Sequence, residues 1–130
     1  MKRKSSGFTM IELVIVITLL GILAVVALPR FVNLTTSARQ SARDGVVGSV
    51  RSGVMLFHAN DLATGGAGAF PATLDANANG ACATCFSGVL EQPVSDTHWS
   101  KAGLVYTYDD GDPATPNLSF TYDPATGAFQ

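Results

Sequence analysis

Phe8-Thr-Met-Ile-Glu12-Leu-Val-Ile-Val-Ile-Thr-Leu-Leu-Gly21-Ile-Leu-Ala-Val-Val-Ala-Leu28 decides the fold. These 21 residues carry one charge, Glu12. As a helix the stretch spans roughly 32 Å, enough to cross the hydrocarbon core of a bilayer. Just upstream stand Lys2, Arg3 and Lys4, three of the eight basic residues. Downstream, from Pro29 to Gln130, nine acids outnumber five bases, Arg30, Arg39, Arg43, Arg51 and Lys101. The positive-inside rule keeps the basic tip in the cytoplasm and sends the acidic body across the membrane.

The whole-chain averages hide this asymmetry. The chain has 130 residues, 47% apolar and 14% charged, with net charge −2. That length suits one ordinary domain, and the composition argues against a disordered chain. The charge argues against a nucleic-acid scaffold, and two cysteines are too few for a disulfide-dense miniprotein or a four-thiolate zinc site. A removable signal peptide has an apolar core of only about 7–15 residues and a small-residue cleavage site. Here the apolar run is longer and leads straight into another helical pattern. Glu12 also argues against a simple anchor. A carboxylate inside a spanning segment costs on the order of 2.5–3.5 kcal/mol at the bilayer centre and calls for a cationic partner. No Lys or Arg lies between Phe8 and Pro29. The cation must be a new amino terminus cut nearby or a group on another chain.

The string Lys4-Ser-Ser-Gly7-Phe8-Thr-Met-Ile-Glu12, with Gly21 and Pro29 further on, resembles the class III signal of type IV prepilins and the related pseudopilins. The resemblance covers residues 1 to about 60. Ala27-Leu-Pro-Arg-Phe-Val-Asn-Leu34 with Ala38-Arg39 looks most like the mannose-sensitive haemagglutinin type of pilin. The resemblance implies a prepilin peptidase and methyltransferase that cuts between Gly7 and Phe8 and methylates the Phe8 amine. A glycine before the cut lets an enzyme approach the backbone closely. The freed amine is largely cationic at neutral pH and stands four residues from Glu12. In such families a neighbour's amine is thought to pair with the glutamate as subunits assemble. Glu12, Gly21 and Pro29 are therefore the expected assembly residues. Gly21 and Pro29 mark the weakest part of the rod, with Pro29 expected to interrupt and kink it.

Beyond Pro29, Phe31, Leu34, Ala38, Ala42, Val46, Val50, Val54 and Phe57 recur at steps of three and four. That spacing predicts an amphipathic helix with this stripe as its core face. Asp61 and Thr64-Gly65-Gly66 end it, so the rod runs from about Thr9 to Ala63, roughly 80 Å. His58 has only His98 elsewhere and reads as a packed or surface histidine. Residues 64–81, rich in Gly, Ala and Asn, read as a mobile surface connection held by Phe70 and Leu74.

Cys82-Ala-Thr-Cys85 has three readings. A thioredoxin-like pair needs a βαβ setting, and haem attachment needs a histidine where Phe86 stands. A structural disulfide suits an oxidising compartment. Closing so short a ring contributes only about 2 kcal/mol. Leu104–Tyr108 and Leu118–Tyr122 alternate as half-buried antiparallel strands. Asp123–Gly127 reads as a tight turn, Ala128-Phe129 as a last strand, Val89-Leu90 as the start of an earlier one, and Trp99 as an edge residue. Asp109, Asp110 and Asp112 could supply calcium ligands, as in the C-terminal loop of major pseudopilins, but such clusters also make ordinary strand connections.

The expected fold is α+β and pilin-like: a long N-terminal helix against a small antiparallel sheet. Its parts are a leader (1–7), a membrane or filament-core helix (8–29), an amphipathic helix (30–63) and a loop with sheet (64–130). No catalytic triad, paired carboxylates or phosphate loop stands out, so no enzyme activity or cofactor is expected. The resemblance implies a homo-oligomeric helical filament for adhesion, biofilm and motility. It implies a subunit held in the inner membrane before assembly by a platform with ATPases, then found in an extracellular pilus. The alternatives are a type II secretion pseudopilin, in a periplasm-spanning pseudopilus, and an anchored periplasmic thiol–disulfide protein.

Overall fold

The computed structural model describes residues 7–113 and 115–130, with Val32 and Asn33 described by backbone alone. The basic tip of Lys2, Arg3 and Lys4 lies outside the described residues. Helix α1 spans Met10–Ala63. Five short strands follow: β1 Gly80–Ala81, β2 Trp99–Ala102, β3 Val105–Tyr108, β4 Leu118–Asp123 and β5 Ala128–Phe129. The chain divides into two compact units, Met1–Ser37 and Ala38–Gln130.

In the first unit the helix buries almost nothing. Its 18-residue apolar window has mean hydropathy 2.9 and no buried share. Val25 is 74% exposed and Ile11 68%. The helix continues through Pro29, in line with the expected rod from about Thr9 to Ala63. A proline removes one amide donor, and the flanking turns keep theirs, so the helix persists around it.

In the second unit, which holds the packed part of the head, all strand pairs are antiparallel and the sheet order is β1-β2-β3-β4-β5. The helix lays Val47, Val50 and Val54 on the sheet's apolar face. Phe86 sits among Trp99, Tyr106 and Phe129, with ring centroids 5.2, 4.6 and 5.7 Å away. Such edge-to-face and tilted pairs suit the aromatic quadrupole. Gly53 is required by contact: a Cβ there would fall 2.2 Å from the Val89 carbonyl oxygen.

The helix ends as expected. Gly65 takes φ +88°, and the Thr64 and Gly66 amides donate to the Asn60 and Asp61 carbonyls at 3.0 and 2.8 Å. Asp61 Oδ2 then accepts the Gly68 and Ala69 amides at 2.8 and 2.9 Å. The last hairpin also follows the sequence: Gly127, at φ +70°, donates its amide to the Asp123 carbonyl at 2.8 Å.

Several expectations are corrected. The core face is narrower than the eight-residue stripe: Phe31, Leu34, Ala38, Ala42 and Phe57 are exposed, and Val47 joins the core instead. The sheet is too small to cover more than the turns around Val46–Val54. The 64–81 segment is more than a surface connection, since Pro71, Leu74 and Asp75 are buried. Val89 lies in a turn rather than a strand. Trp99 opens β2 and is 1% exposed, a core residue and not an edge one. Leu118 stays exposed, because β4 buries only its Tyr122 end fully.

Candidate processing and assembly site

The expected cut site lies in non-helical chain just before α1. Gly7 and Phe8 are both exposed, and a Cβ added to Gly7 would meet nothing within 4 Å. Nothing among the described residues demands a glycine there. Gly21 is equally open.

Thr9 and Glu12 make a capping box. Glu12 Oε2 accepts the Thr9 amide at 2.8 Å and its hydroxyl at 2.7 Å, while the Glu12 amide donates to Thr9 Oγ1 at 3.3 Å. Thr9 is thus the N-cap and Glu12 the reciprocating third residue. The cap fixes the helix start at Met10, one residue past the expected Thr9. It adds neutral partners from Glu12's own chain to the cation that the sequence calls for. The Thr-x-x-Glu spacing is itself the signature of a capping box. Glu12 and Phe8 are close in sequence, but no contact joins Glu12 to Phe8 among the described bonds.

In the head, the disulfide Cys82–Cys85 is formed, with S–S 2.01 Å. Cys82 is 4% exposed and Cys85 0%. Beside it lies a buried ion pair that sequence reasoning missed. Lys101 Nζ donates to Asp75 Oδ1 at 2.7 Å, to the Asp75 carbonyl at 3.2 Å and to the Asn77 carbonyl at 3.1 Å. Asp75 Oδ2 accepts the Tyr106 hydroxyl at 2.9 Å and the Phe86 amide at 3.1 Å, and Oδ1 accepts the Asn77 amide at 3.0 Å. Burial alone would raise the Asp75 pKa. Lys101 and the three donors outweigh it and hold the carboxyl below its ordinary value. Burial, and then Asp75, push the Tyr106 phenol up. A charge pair so fully satisfied fixes the register of β2 and β3 on the preceding loop.

The acidic loop is satisfied by its own donors. Asp110 accepts the Thr115 hydroxyl at 2.6 Å and the Asp112 amide at 2.9 Å, and Asp109 accepts the Gly111 amide at 2.8 Å. The Thr115 bond, then the Asp112 amide, hold the Asp110 carboxyl low. Arg39 reaches the Asp110 carbonyl. His58 stacks on Phe70 at 4.4 Å, a packed histidine.

Residues 2–28 match the family described as the prokaryotic N-terminal methylation motif. Over 49 residues the chain is 51% identical to the type IV narrow pilus major component of Thermus thermophilus; the match covers 38% of this chain and 42% of that protein. Over 134 residues it is 33% identical to the fimbrial protein of Dichelobacter nodosus, covering 98% of this chain and 73% of that protein. The chain thus spans less than half of the first relative. No solved structure matches the chain. With the methylation motif at its start, and a fimbrial relative aligned along almost its whole length, the chain belongs to the type IV pilins.

Proposed function

We propose that this chain is the building block of a pilus filament, made from a membrane-held precursor. A prepilin peptidase removes residues 1–7 by cutting between Gly7 and Phe8, leaving 123 residues. The same enzyme methylates the Phe8 amine. Residues 8–29 anchor the subunit in the inner membrane and later lie in the filament core, with 30–63 and 64–130 forming the head. The observation that carries this is a helix whose apolar half is exposed throughout, with one acid near its start. A water-soluble monomer would not tolerate such a surface. Lipid covers it first and other subunits cover it afterwards.

Once the leader is gone, the Phe8 ammonium and Glu12 become complementary charges in an apolar setting. The capping box sharpens this role. Thr9 holds the Glu12 carboxylate at the helix start, where an amine from a neighbouring subunit can reach it. A platform with ATPases at the inner membrane supplies the driving force. Attachment, biofilm formation and motility are the expected duties of the extracellular fibre. The buried disulfide speaks against a thiol-exchange enzyme, which needs an accessible sulfur.

Electron microscopy of sheared surface material, labelled with an antibody to the head, tests the proposal. Long decorated fibres are expected. Label confined to the membrane fraction, with no fibres, would count against it.

A further inference from the structure

The Cys82–Cys85 bond sits where it controls more than its own short ring. The Cys82 amide donates to the Trp99 carbonyl at 3.0 Å, which ties it to β2. Cys85 exchanges two backbone bonds with Val94, at 2.9 and 3.0 Å. The next residue, Phe86, has φ +63°, and no other non-glycine described residue has positive φ. A bulky side chain rarely adopts that conformation. In that conformation its ring and its amide both reach their places. The ring fills the centre of the aromatic core, and the amide donates to Asp75 Oδ2 at 3.1 Å. The Asp75 carboxylate lies within 4.8 Å of both cysteine sulfurs. The disulfide, Phe86 and the Asp75–Lys101 pair are therefore one connected unit.

Both sulfurs are sealed in the folded head. A protein oxidant needs an accessible sulfur, which residues 4% and 0% exposed do not offer. We propose that a disulfide-donating oxidant bonds Cys82 to Cys85 before the core closes, so that oxidation gates folding of the head. One cysteine thiolate attacks a sulfur of the oxidant's disulfide and expels the other as a thiolate. The second cysteine thiolate then displaces the remaining oxidant sulfur from the mixed disulfide. Two thiols become one disulfide, and the oxidant leaves as two thiols carrying both electrons and both protons. Without the bond, Phe86 relaxes toward negative φ. The Phe86 amide leaves Asp75, and the buried pair loses a partner where it is hardest to replace. The gate rests on the proposal that the head reaches an oxidising compartment; the chemistry itself can be tested apart from any fibre.

The test uses the full chain in dodecyl maltoside micelles, unfolded in guanidinium with and without dithiothreitol. Trp99 is the single tryptophan and is 1% exposed, so its fluorescence reports core closure. Closing a ring of about four residues changes a folding constant by roughly 20-fold. The gate predicts a much larger loss on reduction. It also predicts that refolding from the reduced state recovers the native Trp99 signal only when oxidised glutathione is added. A loss of about 20-fold or less would overturn the proposal. So would a reduced chain that buries Trp99 while its thiols resist a maleimide, because closure would then precede oxidation.

Discussion

The two halves of α1 use the same backbone for opposite ends. Between Met10 and Leu28 the helix satisfies its own amides, yet leaves its side chains bare. Between Val46 and Val54 it buries a narrow stripe under a sheet of its own chain. The first half has no cover from the described residues of its own chain. The second carries its partner with it. On the proposed function, assembly chemistry belongs to the first half and folding chemistry to the second, and changes in one should leave the other intact.

The largest expected effect is at Glu12. Glu12→Ala should abolish surface fibres while membrane insertion and leader removal continue, read by electron microscopy and by the mass of the membrane-held subunit. Normal fibres would break the comparison. Next comes the buried pair. Lys101→Met strands the Asp75 carboxylate and should cost the head about 3–5 kcal/mol, read by guanidinium unfolding on Trp99 fluorescence. Replacing both partners, as Asp75→Leu with Lys101→Met, should cost less than that single change. Neither should move the leader cut.

Acid sharpens the contrast within the head. The Asp75 pKa is lowered on folding, so its contribution is full above the unfolded value near 3.9 and is lost as pH falls through the lower folded value. Unfolding followed at Trp99 should show stability dropping as pH falls below about 3.9. Asp75→Asn should flatten that slope. An unchanged slope would show that Asp75 does not carry the acid response. The smallest effect is at the helix start. Thr9→Ala removes the cap and should cost about 1 kcal/mol locally. Hydrogen exchange should quicken at the Ile11 and Glu12 amides and stay the same in the head.

What could be read without coordinates follows the range of the interactions. The long helix, its end at Ala63 and the hairpin at Gly127 rest on neighbours in sequence, and they were legible. The Thr9-x-x-Glu12 box was equally local, but the missing cation drew attention from it. β2 was not legible, because Trp99-Ser-Lys-Ala102 places a lysine on its buried face. That lysine is tolerated only because Asp75, 26 residues earlier, meets it. Nothing in the spacing of either residue announces the pair. The extent of the helical core face is not legible for a related reason: periodicity marks an apolar stripe but not how much of it the same chain can cover.

The intact mass of the mature subunit tests the central claim most directly. A mass equal to residues 8–130, with the disulfide intact and one methyl group on the Phe8 amine, is the predicted result. A chain that still begins at Met1, or starts well past Phe8, would leave Glu12 without the partner on which the filament reading depends.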